Sequence, residues 1–151
     1  MNYSSSHKSR KTALNYNSRF EWKPLQNQLR REERIVAGVL AKIKPRIVFD
    51  LACGTGRILK IIEDSVEIPE RIYGFDNSKE MLNQAKLLNL TRTELIHYEL
   101  LDRSWTSDTK AELLTCFRFF ANADEELRNS ARHFVLENLH SGGYFLVNNH
   151  K

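Results

Sequence analysis

Ile47-Val48-Phe49-Asp50-Leu51 runs without a break into Ala52-Cys53-Gly54-Thr55-Gly56 and then into Arg57-Ile58-Leu59-Lys60-Ile61-Ile62. The first five residues are mostly apolar, with β-branched and aromatic side chains, which predicts a short buried strand. Gly54 and Gly56 predict a tight turn, because glycine accepts positive φ and lets backbone approach a ligand closely. Ile58, Leu59, Ile61 and Ile62 then supply the buried face of a helix ending near Asp64, with Pro69 in the loop beyond.

The pattern extends in both directions. Upstream, Leu25, Leu29, Val36, Val39, Leu40 and Ile43 fall at helical spacings, and Pro45 marks the end of that helix. Arg30, Arg31, Glu32, Glu33 and Arg34 are expected on its solvent face. Downstream, Arg71–Phe75 reads as a second strand ending at Asp76, and Ser78 as the cap of a helix carrying Met81, Leu82, Ala85 and Leu88. Glu94–Glu99 is expected as a third strand and Ala111–Phe117 as a fourth. Asp124 is expected to cap a helix holding Leu127, Ala131, Phe134, Val135 and Leu139. Gly142-Gly143 then turns the chain into a fifth strand, Tyr144–Val147. Alternating strands and helices predict an α/β fold: a parallel sheet with helices on both faces, a three-layer sandwich. Ligands of such sheets sit beyond the carboxyl ends of the strands, near the switch in strand order. That rule selects Cys53–Gly56, Asp76, Asp102, Phe117–Asn122 and Asn148–His150.

Composition narrows the class. The chain has 151 residues, 41% hydrophobic and 28% charged, enough for one domain with an ordinary core. No apolar run reaches the ~18 residues of a membrane span, and the N-terminus lacks the apolar stretch of a secretory signal. Two cysteines, Cys53 and Cys116, make no disulfide framework and point to a reducing, cytoplasmic setting. The net charge of +4 sits in the first twenty residues, where Lys8, Arg10, Lys11 and Arg19 meet no acid. The rest balances 19 bases against 19 acids. Residues 1–19 are therefore read as a flexible basic tail and 20–151 as the domain, with nucleic acid not expected as a partner. Phe20 and Trp22 are expected to pack a lid or helix onto the core.

Gly54 and Gly56 open a helix whose first N–H groups and positive dipole end suit a carboxylate or phosphate. Asp76 lies twenty residues after Gly56, where a carboxylate can accept both ribose hydroxyls of a nucleoside cofactor. A dinucleotide fingerprint needs a small residue three positions after its second glycine, and that position is the bulky Leu59. Asp50, inside the strand, is placed to orient the glycine loop and attract a cation.

Asp50-Leu51-Ala52-Cys53-Gly54-Thr55-Gly56 resembles motif I of the class I S-adenosylmethionine-dependent methyltransferases, which are Rossmann-like. Tyr73-Gly74-Phe75-Asp76-Asn77-Ser78-Lys79-Glu80-Met81-Leu82 resembles the family's next motif, whose acid binds ribose. Leu101-Asp102 resembles the position that meets the adenine amino group, although Asn77 departs from the family's usual apolar neighbour of the adenine. Gly142-Gly143-Tyr144-Phe145-Leu146-Val147 resembles the family's turn into its fifth strand. The resemblance spans roughly residues 30–150. It implies S-adenosylmethionine as cofactor, held by Asp50, Leu51, Cys53, Gly54, Gly56, Asp76, Asn77, Met81, Asp102 and Phe117.

The same resemblance implies methyl transfer by in-line displacement, in which aligning donor and acceptor supplies much of the catalysis. No metal is expected. The segment Phe117-Arg118-Phe119-Phe120-Ala121-Asn122 lacks the Asn/Asp-Pro-Pro-Tyr/Phe signature of enzymes acting on planar nitrogens. A small-molecule or sugar hydroxyl is the expected acceptor. Arg118 and Asn122 are candidates to bind it, with Arg118 equally readable as an ion-paired residue, and His150 is a candidate base. His97, His133 and His140 read as structural or surface residues, and Cys53 as a small side chain in the loop. The family sheet continues for two more strands, so this sheet is expected to be incomplete at the C-terminus. Its fifth strand is then an exposed apolar edge fit for pairing with a second copy. A non-catalytic binding or assembly module that keeps this fold is the rival reading.

Overall fold

The computed structural model describes residues 23–103 and 105–148, with side chains described from residue 26 onward. Residues 1–19, Phe20, Trp22 and His150 lie outside that range. The elements follow in order: α1 (Lys23–Ile43), β1 (Ile47–Leu51), α2 (Arg57–Glu63), β2 (Arg71–Asp76), α3 (Lys79–Lys86), β3 (Thr93–His97), β4 (Ala111–Cys116), α4 (Glu125–Asn138) and β5 (Leu139–Val147). The strands form one sheet in the order β3-β2-β1-β4-β5. Every neighbouring pair is parallel. The order switches between β1 and β4, and the loops after those two strands diverge there.

Period-two alternation divides the strands between two cores. Val48, Ile72 and Leu113 pack with Val36 and Leu40 of α1, Ile58, Leu59 and Ile62 of α2, and Leu82 of α3. Phe49, Leu51, Phe75, Leu114 and Cys116 face the other way, onto Leu127, Ala131, Phe134 and Val135 of α4. The result is the three-layer, Rossmann-like sandwich. Local chemistry starts the helices where expected. The Ser78 hydroxyl accepts from Met81 N at 3.3 Å, and the Asp124 carboxylate accepts from Leu127 N at 3.0 Å.

Several boundaries differ from the sequence reading. β3 stops at His97 instead of Glu99: the last ladder bond runs from Tyr98 N to the Asp76 carbonyl at 2.9 Å, where β2 itself ends, and the chain turns from residue 100. β4 stops at Cys116, just before Arg118 takes a left-handed φ of 61°. β5 begins at Leu139, so Gly142-Gly143 lies inside the strand, beside an irregularity in its pairing with β4. Glu32 is not on the solvent face. It precedes Val36 and Leu40 by one and two helical turns, which puts it on the inner stripe of α1, 4% exposed. The β3–β4 link holds no helix among its described residues; Trp105 anchors it by packing on Phe49, Phe75 and Phe134. No helix among the described residues is long and apolar enough to cross a membrane.

Gly74 on β2 pairs with Asp50 in the parallel register. A Cβ at Gly74 would stand 2.6 Å from Leu59 Cδ1, 3.1 Å from Leu95 Cδ2 and 3.2 Å from Cys53 Sγ. This bare backbone lets α2 and the glycine turn settle against the sheet. Gly74→Ala is expected to destabilise the fold by about 1–3 kcal/mol through overpacking. A urea titration reads the change, and an unmoved midpoint would show that Leu59 yields freely.

Candidate functional site

The turn from β1 into α2 is wound tightly. Ala52, Gly54 and Gly56 all adopt positive φ, of 56°, 56° and 81°. Gly56 also lies against α3, where a Cβ would come within 3.0 Å of both Ala85 Cβ and Leu88 Cδ1. The turn is tied to β2 by Cys53 N donating to Phe75 O at 2.9 Å and Gly54 N donating to Asp76 Oδ2 at 2.8 Å. The second oxygen of Asp76 accepts from Ser78 N at 2.8 Å, so one carboxylate braces both the glycine turn and the start of α3.

A cleft opens along this edge. Leu51, Gly54, Asp76, Asn77, Met81 and Phe117 line it, with Arg118. A smaller recess adjoins it, sharing Ala52, Gly54, Phe117 and Arg118 as walls and adding Asp50, Cys53 and Arg57. Nine of the ten residues expected to hold a cofactor thus gather here; Gly56 does so by shaping the turn and lines neither space. Asp102 is the exception. It is exposed and absent from the lining, because β3 has already ended and residues 100–102 form a turn, with Asp102 N on Glu99 O at 3.1 Å. Tyr98 and Leu100 take the inward places instead. These two, with Phe75 and Leu127, are lining residues the sequence reading missed, whereas Phe119 lies in the selected Phe117–Asn122 segment. The third strand's inward alternation at Ile96 and Tyr98, continued to Leu100, was the available signal.

Asp50 is wholly buried. Its Oδ1 accepts from the Thr115 hydroxyl at 2.7 Å, while its Oδ2 has no hydrogen-bond partner among the described residues. Burial pushes its carboxyl up from 3.8 to about 7, against the Thr115 hydrogen bond and the Arg57 charge, with Asp76 adding to the rise. Burial, with Asp76 and Asp50 nearby, likewise raises the Cys53 thiol well above its ordinary value, so it is kept protonated and suits no nucleophilic role.

The acceptor-side candidates separate. Arg118 lines both spaces and donates to Glu32 from NH2 at 3.3 and 3.4 Å. Asn122 is exposed and does not line the cleft; its Nδ2 donates to the Arg118 carbonyl at 2.7 Å and holds the loop. Phe119 is core and cleft wall together, and Phe120 packs on Phe119 and Phe145. His97, His133 and His140 are exposed. Among the described residues no group of three His, Cys, Asp or Glu is arranged to hold a metal.

A family profile described as "Methyltransferase domain" matches residues 48–143. No curated protein sequence matches the chain. Among solved structures, the DhpI–SAH complex aligns with a TM-score of 0.73 at 21% identity, covering 90% of this chain and 62% of that one. The plantazolicin methyltransferase BpumL, in complex with a pentazolic desmethylPZN analog and SAH, gives 0.63 at 21% identity, covering 87% and 49%. An S-adenosylmethionine-dependent methyltransferase from Clostridium acetobutylicum gives 0.60 at 21% identity, covering 76% and 48%. The chain thus spans about three-fifths of the length of the DhpI protein.

Asp50 generates a stability signature. It holds its proton more tightly folded, with a pKa of about 7, than unfolded, with one near 3.8. Its contribution is present in full below 3.8 and is lost as pH rises through about 7. Glu63 runs the other way. Burial raises its pKa, but hydrogen bonds from Thr91, Thr93 and Arg92 outweigh that and lower it below 4.5. Its contribution is lost as pH falls through that lowered value. Urea midpoints of the wild type are expected to decline from about pH 4 to about pH 7 relative to Asp50→Asn. Parallel pH profiles would assign Asp50 an ordinary carboxyl.

Proposed function

The chain belongs to the methyltransferase-domain family, and on that premise we propose that it binds S-adenosylmethionine in this cleft and methylates a small-molecule hydroxyl. One observation carries the cofactor reading: a glycine turn with positive φ at three positions, flanked by two carboxylates of different character. Asp76, on the cleft lining at the end of β2, offers a carboxylate that suits the ribose hydroxyls. Asp50, buried with an orphaned oxygen, suits the ammonium of the amino-acid end. Met81, Asn77, Tyr98 and Leu100 offer the adenine a largely apolar slot with a polar rim. Structural relatives crystallised with SAM or SAH point to the same ligand.

When bound, the cofactor supplies a methyl group on an electron-poor sulfonium. The protein's part is to align it and to keep water away. Phe117 and Phe119 present apolar surface beside Arg118, where a small acceptor would lie. Two buried free thiols suit a reducing compartment, and we place the reaction in the cytoplasm.

Titration calorimetry tests the cofactor. S-adenosylmethionine is expected to bind saturably and NAD not at all, with Asp76→Ala weakening binding by about tenfold or more. Affinity should tighten as pH rises toward about 7, because Asp50 must surrender its proton to meet an ammonium, and Asp50→Asn should abolish that dependence. A folded chain with no saturable binding would overturn the proposal.

The rival assembly reading draws on β5. Among the described residues this strand is a sheet edge, with Tyr144 54% exposed and Phe145 and Val147 each 37% exposed. We propose that a second copy pairs here. Sedimentation should show concentration-dependent self-association in the wild type and a monomer for Phe145→Lys, since a charge blocks edge pairing. A monomeric wild type at all concentrations would remove the second copy.

A further inference from the structure

Glu32 is the more deeply buried of the two acids of α1, and partners reach it from the start of α2 and from the segments that follow β4 and β5. Its Oε2 meets Arg57 NH2, at the start of α2, at 2.8 Å. Both oxygens accept from Arg118 NH2, after β4. Its Oε1 also accepts from Asn148 Nδ2, after β5, at 2.8 Å. Asn148 in turn accepts from Arg118 N at 2.6 Å, through its Oδ1. A carboxylate in an apolar stripe is costly unless it is paired and hydrogen-bonded, and this one is. Removing it would leave two guanidinium groups, each about four-fifths buried, without the anion that orients them.

Both arginines line the recess beside the glycine turn, and so does Asp50, whose buried Oδ2 has no hydrogen-bond partner among the described residues. Guanidinium and carboxylate groups around one recess are complementary to an α-amino acid, whose carboxylate and ammonium are one carbon apart. Arg118 is held for this by its backbone as well: φ is 61°, and its N–H is taken by Asn148.

We propose that Glu32 is a positioning residue, which holds Arg118 and Arg57 as the binding site for the carboxylate of the cofactor's amino-acid end. This rests on the cofactor reading above. It assigns Arg118 to the cofactor and not to the acceptor. It also gives α1 a role in the site that its apolar face alone would not supply.

The test compares two ligands on three proteins. S-adenosylhomocysteine carries the amino-acid end; 5′-methylthioadenosine keeps the nucleoside and the thioether but lacks it. Wild type, Glu32→Gln and Arg118→Gln are titrated with each by calorimetry. Both variants are expected to lose about tenfold or more for S-adenosylhomocysteine and less than about twofold for 5′-methylthioadenosine. Equal losses for both ligands would make Glu32 a residue of the fold only and overturn the inference while leaving the cofactor reading intact. Unchanged S-adenosylhomocysteine affinity would also overturn it and return Arg118 to the acceptor. A wild type that binds neither ligand would bring down the cofactor reading, and this inference with it. If Glu32→Gln does not fold, Arg118→Gln decides alone, since it leaves Glu32 with Arg57 and Asn148.

Discussion

A single carboxylate holds the edge of this sheet together. Asp76 accepts from Gly54 N with one oxygen and from Ser78 N with the other, both at 2.8 Å. The first bond anchors the turn leaving β1, and the second anchors the start of α3. Hydrogen bonds to a charged acceptor are the stronger kind, and both donors are backbone groups with no side-chain freedom to lose. The position of the glycine turn relative to β2 follows from this pair. The shape of the cleft follows from the turn.

That arrangement needs close approach, which the packing permits at few places. Gly74 leaves room for Leu59 and Cys53, and Gly56 leaves room for Ala85 and Leu88. On the opposite face the space is filled by aromatic rings instead. Phe49, Phe75, Tyr98, Trp105 and Phe134 meet with centroid separations of 4.7–6.1 Å, mostly edge to face. One layer is thus close-set through missing side chains and the other through large ones. The cleft lies where the two regimes meet, with Phe75 and Tyr98 on its lining beside Gly54.

Local features of the sequence carried most of the fold. The run from Ile47 to Ile62 combines a β-branched strand, two glycines and an apolar helix face, and each cue acts over a few residues. Ser78 and Asp124 were readable as caps for the same reason. What escaped was set by long-range contact. Glu32 shares the helical stripe of Val36 and Leu40, but its charge and its place in the run Arg30 to Arg34 read as solvent-facing. Its burial depends on Arg57, Arg118 and Asn148, 25 to 116 residues away. Asp102 has the right order along the chain, but β3 ends where its partner β2 runs out at Asp76, and the turn at 100–102 carries Asp102 outward. Trp105 anchors a link without periodicity, and its partners come from two strands and a helix.

The two cysteines divide the molecule in another way. Cys53 sits in the glycine turn and Cys116 at the end of β4, each buried and each with its thiol raised well above its ordinary value. Neither reacts readily while the chain is closed, since modification needs both exposure and thiolate. Each thiol is therefore a built-in clock for a different motion. Cys53 reports the opening of the turn, a local event at one edge. Cys116 lies on a strand hydrogen-bonded on both sides and is reached only when the sheet comes apart. The interval between the two labelling times measures how far the site can breathe without unfolding the domain.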